Sequence, residues 1–268
     1  MTQDRPMRTE ERAVADFLRS LGLKTRPLPE HKKRKMPDLF ATDEALNYLV
    51  EVKLKLASEE AERVRAAELE AGKIHESSTR LVTSKGIYDI VKHGVEQLWS
   101  PAAPEADLRL FAFLAGGREP ETQLERMFST FYGKVTLFDH EKRENVDCLY
   151  YTFSSFFSFR EELDGVLVLG PGSTILWVNS LSPRADLLAS SQLARSLGEK
   201  HVLDPRTLEE EGAIYVAEPW TGPGDPGGEQ LLAVQAKYDR HHQLSPATFH
   251  AVRWEARVGE HDESEAED

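Results

Sequence analysis

The chain has 268 residues, a formal net charge of -13, a hydrophobic fraction of 40% and a charged fraction of 29%. That length suits one enlarged domain or a core with an appended region. The acidic balance argues against broad electrostatic adhesion to nucleic acid or anionic membrane. No apolar run reaches the roughly 18 residues of a membrane helix, so no membrane association is expected. The polar N-terminus and the single cysteine, Cys148, imply a reducing, cytoplasmic setting without an internal disulfide.

In chain order, EERAVADFLRSL predicts an amphipathic helix over 10–21, with Val14, Phe17, Leu18 and Leu21 on one face and Gly22 as a stop. Glu11 lies in line with Val14 and Leu18 on the inward side. LKTRPLP reads as a short strand. The basic run HKKRK follows at 31–35, a local positive segment in an acidic chain.

Strands are predicted at 37–41 and 47–55, joined by a turn at 42–45, and the pair reads as an antiparallel hairpin. Side chains alternate along a strand, so Tyr48, Val50, Val52 and Leu54 share one face while Leu49, Glu51, Lys53 and Lys55 share the other. A charged helix is expected over 58–73 with Ser58 as N-cap, and an amphipathic helix over 84–99 leads into the apolar strand LRLFAFLA. Helix 123–132 and strand 134–138 repeat that order, as in an α/β domain.

Beyond residue 141 strands are expected at 149–153, 165–169, 174–179, 213–217 and 251–257, with a helix over 184–197. TGPGDPGG at 221–228 reads as a loop. The pattern leaves open whether this half extends the first sheet or folds separately. The expected division is a core over 1–140, an α/β extension over 141–258 and an acidic, disordered tail over 259–268.

The hairpin carries the chemistry. Asp38 stands at the start of one strand, and Glu51 and Lys53 share a face of its partner, so a modest register brings all three to one edge. Two carboxylates can hold a divalent metal through oxygen, with the Val52 carbonyl as a further ligand, and a lysine can stabilise charge on a phosphate or position water. The bland alternative is an ordinary charge pair on a solvent-facing strand.

Pro37-Asp38 followed by Glu51-Val52-Lys53 resembles the PD-(D/E)xK nuclease superfamily, whose members share the restriction-endonuclease-like fold. The resemblance implies a mixed sheet flanked by helices, a Mg²⁺ or Mn²⁺ cofactor, and hydrolysis of phosphodiester bonds in DNA in prokaryotic restriction, defence or repair. It implies Asp38, Glu51, Lys53 and Glu11 as catalytic residues, with Asp38, Glu51 and Val52 at the metal. In the helix KGIYDIVKHGVEQLW it points to Gln97, ahead of Lys85 and Tyr88, as a residue touching the site. Lys32, Lys33, Arg34 and Lys35 would contact the DNA backbone beside Gln97, and a homodimer is expected if both strands of a duplex are cut. Two alternatives stand beside this reading: a non-catalytic interaction module on the same scaffold, and the same chemistry on RNA or branched DNA.

Elsewhere the bland readings prevail. Asp239, His241 and His242 lack the spacing of a metal site. Cys148 is expected to be buried and inert, and the aromatic stretch 150–159 to pack. No phosphate-binding glycine loop and no serine-hydrolase elbow is present.

Overall fold

The computed structural model describes residues 6–29, 36–55, 59–116, 119–170, 172–221, 227–239 and 243–256. The basic run at 31–35, Ser58, His241, His242 and the tail at 259–268 lie outside the described residues.

Helix α1 (Thr9–Ser20) buries Glu11, Val14, Ala15 and Leu18 along one stripe and ends at Gly22, whose positive φ of 88° suits a residue without a side chain. Strands β1 (Lys24–Pro27), β2 (Leu39–Thr42) and β3 (Asn47–Lys55) form an antiparallel meander. Asp43 fixes the β2–β3 turn, where its carboxylate accepts the amides of Ala45 and Leu46 and the Tyr48 hydroxyl.

A crossover of α2 (Glu59–Glu70), β4 (His75–Arg80) and α3 (Lys85–Leu98) carries the chain to β5 (Leu108–Ala115), which runs parallel to β3. β4 was not expected, because HESSTR has no apolar side to mark it. Its pairing comes from the far end of the chain.

Next come α4 (Pro120–Tyr132), β6 (Val135–Asp139), β7 (Glu144–Leu149), α5 (Ser155–Ser158), β8 (Gly165–Gly170) and β9 (Ser173–Val178). The strand expected over 149–153 is thus displaced toward the N-terminus. Tyr150 takes a positive φ of 58°, its amide donates to the Tyr132 carbonyl at 2.6 Å, and the ladder stops there.

The remaining elements are α6 (Ala185–Ala189), α7 (Gln192–Leu197), β10 (Val202–Leu203), α8 (Pro205–Glu210), β11 (Tyr215–Val216), α9 (Gly227–Lys237), β12 (Leu244–Ala247) and β13 (His250–Glu255). The single helix expected over 184–197 is two, because the Ser191 hydroxyl accepts the Ala194 amide and starts a new N-terminus. α9 and β12 lie where no helix or strand was expected.

These strands form a seven-stranded mixed sheet in the order β1-β2-β3-β5-β8-β9-β10, a four-stranded sheet β11-β7-β6-β12, and the ribbon β13-β4. The division expected at residue 140 does not follow the main sheet, since β5 pairs with β8 from beyond it. The second half does both things left open: it completes the first sheet and builds a second. The architecture is mixed α/β, with helices on the main sheet.

One core joins α1, α6 and α7 to a face of that sheet through Val14, Leu18, Leu188 and Leu193 against Val50, Val52, Leu110 and Leu167. The other packs Val91, Val95 and Leu98 of α3 and Phe131 of α4 against Leu49, Phe111, Phe113 and Val166. The alternation expected along β3 is therefore seen as two cores, one on each face. A third core fills the second sheet, with Cys148 fully buried in it. Burial pushes that thiol up to about 12, which leaves it protonated and inert as expected.

Candidate functional site

The β2–β3 register pairs Leu39 with Val50, so Asp38, one residue before β2, falls beside the stretch from Glu51 to Val52. Its Oδ2 accepts the Val52 amide at 2.8 Å. The N–H and C=O of one strand residue point to the same side, so the Val52 carbonyl is directed to the Asp38 edge of β3. The carboxylate and the carbonyl thus flank a gap where the short strand β2 ends and β3 continues.

Glu51 projects from β3 into the α3 side. Its side chain is 1% exposed, and its Oε1 accepts the Lys53 ammonium at 2.5 Å. Its Oε2 is buried with no hydrogen-bond partner among the described residues. An orphaned carboxylate oxygen in a dry setting is costly unless it is protonated or met by a cation. Burial pushes the Glu51 carboxyl up to about 8, the nearby Asp38 charge adds to the rise, and the Lys53 ammonium opposes it without prevailing.

The wall behind Glu51 is α3, whose Gly94 permits this approach. A Cβ on Gly94 would lie 2.3 Å from the Phe111 ring and 3.3 Å from the Glu51 Cγ. Gln97, one turn further on, accepts the Lys53 ammonium at 3.3 Å and donates to the Met36 carbonyl at 3.2 Å. It therefore ties α3, β3 and the approach to β2 together. Lys85 is exposed, and Tyr88 stacks on Phe159 and meets Phe153 edge-on.

Glu11 enters from α1 and is fully buried. Asp38 is raised to about 6, chiefly by burial and further by the Glu11 carboxylate, while the Val52 amide and the Arg8 guanidinium pull it down. Glu11, Asp38, Val52, Glu51, Lys53 and Gln97 are thus assembled at the open end of the hairpin by α1, β2, β3 and α3.

One participant was absent from the sequence reading. Arg8, at the N-cap of α1, donates from Nε to Glu11 Oε1 at 2.5 Å and from Nη2 to Asp38 Oδ1 at 2.6 Å, and its backbone amide donates to Glu11 Oε2 at 3.0 Å. The only available signal was an arginine three residues before a first-turn acid, which alone marks an ordinary helix start.

Among the described residues no three His, Cys, Asp or Glu side chains form a ready-made cation cage. Two carboxylates and a carbonyl nevertheless make an all-oxygen donor set of the kind that suits Mg²⁺ or Mn²⁺, and Glu51 Oε2 lacks the partner such a cation would supply. A separate cavity of about 560 Å³, lined by Val135, Tyr151, Leu231 and Phe249 among others, lies against the second sheet and includes none of these acids. Among the described residues no helix is long and apolar enough to cross a membrane.

No family model, no curated protein and no solved structure matches the chain.

Proposed function

We propose that this chain is a divalent-cation-dependent phosphodiesterase of the restriction-endonuclease-like, PD-(D/E)xK type, acting on DNA. The observation that carries the reading is Glu51: a fully buried acid with one oxygen on Lys53 and the other unpartnered among the described residues, beside Asp38. An ordinary surface charge pair has both groups in water, and this pair does not. The order of helix, antiparallel hairpin, crossover helix and parallel strand adds support, because it is the order that the motif resemblance implies.

Asp38, Glu51 and the Val52 carbonyl would hold Mg²⁺ or Mn²⁺. Such an ion, when bound, polarises a phosphoryl oxygen and lowers the pKa of water. Lys53 reaches the surface at 26% exposure while its ammonium stays on Glu51, so it can donate to a phosphate oxygen or orient the attacking water. Gln97 limits the swing of that lysine. Glu11 adds negative charge behind Asp38.

Cleavage of labelled DNA with and without Mn²⁺ tests the proposal. Asp38→Ala and Lys53→Ala should each abolish metal-dependent cutting while leaving the fold intact by circular dichroism. If either folded variant cuts at the parent rate, the assignment is wrong. A panel with RNA and branched DNA identifies the substrate.

One observation favours a second reading, a non-catalytic interaction module on the same scaffold: Arg8 already neutralises two of the acids. Thermal stabilisation by Mn²⁺ separates the two, since a ligand that binds the native state raises its melting temperature. An inert module should not respond.

A further inference from the structure

We propose that Arg8 is an internal competitor for the cation: its guanidinium holds Glu11 and Asp38, and a divalent ion must displace it from Asp38 to bind. The inference rests on the reading of Asp38 and Glu51 as ligands, and adds to it a residue that sets metal affinity.

The geometry is specific. Asp38 has two oxygens; Oδ2 is engaged by the Val52 amide, and Oδ1 is the one held by Arg8 Nη2 at 2.6 Å. The same guanidinium reaches Glu11 Oε1 at 2.5 Å, so one planar fork spans two carboxylates from different elements. Both acids are buried, with side chains 0% and 7% exposed, whereas the Arg8 side chain is 51% exposed. The acids are fixed and the cation has somewhere to go.

The local chain permits the exchange. Arg8 sits at the N-cap rather than inside α1, so rotating its side chain breaks no helical hydrogen bond. Its backbone amide remains on Glu11 Oε2, which keeps the helix start anchored while the guanidinium moves. Two positive charges cannot share the Asp38 oxygen at contact distance, so metal and guanidinium exclude one another there. The released group, still tethered beside the acids, is a phosphate-binding fork of the type that recognises a phosphodiester.

Calorimetric titration of MnCl₂ into the full chain at fixed pH tests this. Arg8→Gln should tighten Mn²⁺ binding by roughly ten-fold or more, the scale of one charge-assisted contact to a carboxylate. Arg12→Gln removes the same charge one turn along from an exposed position, and should change binding by less than about two-fold, since an exposed charge is screened. Arg8→Lys, which keeps the charge and loses the fork, should fall between parent and Arg8→Gln, and carries the test if Arg8→Gln fails to fold.

A second readout is the ¹⁵Nε resonance of Arg8, assigned by its loss in Arg8→Lys, which should shift toward the value of a solvent-exposed arginine on addition of Mg²⁺. Equal affinities in Arg8→Gln and the parent, equal gains in Arg8→Gln and Arg12→Gln, or an Arg8 resonance indifferent to Mg²⁺ would each overturn the latch. Parent binding that disappears in Asp38→Asn, with no gain in Arg8→Gln, would sink the latch and leave the site. If neither parent nor Arg8→Gln binds Mn²⁺, both proposals fall together.

Discussion

Replacing Glu51 by glutamine keeps the shape of the side chain and removes its titration. In the folded chain burial and the Asp38 charge raise the carboxyl from the ordinary 4.5 to about 8. A group whose folded pKa is raised contributes stability that is fully present below its unfolded value and lost as pH climbs through the folded one. Between pH 5 and pH 8 the unfolded chain ionises Glu51 and the native chain resists, so parent stability should fall at about 1.36 kcal/mol per pH unit from this residue. That is a loss on the order of 4 kcal/mol, a large share of the roughly 5–15 kcal/mol typical of a folded domain.

Urea unfolding followed by circular dichroism at half-unit pH steps, in chelator, measures it. Glu51→Gln should flatten the curve above about pH 6, leaving below it the contribution of Asp38, whose carboxyl is raised to about 6 and which has a similar slope over a shorter range. Saturating Mn²⁺ should flatten the parent curve too, because a cation on the carboxylate favours its charged form. Parallel curves for parent and Glu51→Gln in chelator would refute the argument that Glu51 is buried as an acid without sufficient compensation.

Three further outcomes are expected. Gly94→Ala forces a methyl into the Phe111 ring beside Glu51, and should cost about 1–3 kcal/mol in urea unfolding while weakening Mn²⁺ binding; a neutral effect on both would show that α3 is free to retreat. Asp164→Ala strips the acceptor from the Arg109 amide, the Ser182 hydroxyl and the Arg184 guanidinium at once, and should cost about 3–5 kcal/mol, with less than about 1 kcal/mol counting against a buried hub. Truncation after residue 140 removes β8 from the edge of β5, an apolar strand, and should give aggregated protein by light scattering rather than a folded monomer.

The hairpin was legible because its information is local. Alternation along 47–55 assigns each side chain to a face without knowledge of what covers it, and helical spacing aims Glu11 inward in the same way. Arg8 was not legible, since its two acids are 3 and 30 residues away and only the packing of α1 against β2 brings the second within reach. The ribbon of β4 and β13 joins residues about 170 apart in sequence; β13 falls where a strand was expected, but its partner β4, HESSTR, lacks an apolar stripe. β11 lies inside the strand expected over 213–217, whereas β10, only two residues long, carries no period at all. Helical spacing runs unbroken through 184–197 because Ser191 reads as an interior polar residue until its hydroxyl is seen capping.

The pairing of β5 with β8 also sets an order in time. β5 leaves the ribosome with one edge satisfied by β3 and the other open, and its partner β8 follows only after about fifty more residues, some 3–10 seconds of synthesis at ordinary rates. During that interval LRLFAFLA presents an unpaired apolar edge to the cell. The strand that braces the acid-bearing β3 is thus exposed to capture by other nascent chains, and chaperone supply, more than final stability, would govern the yield of folded protein.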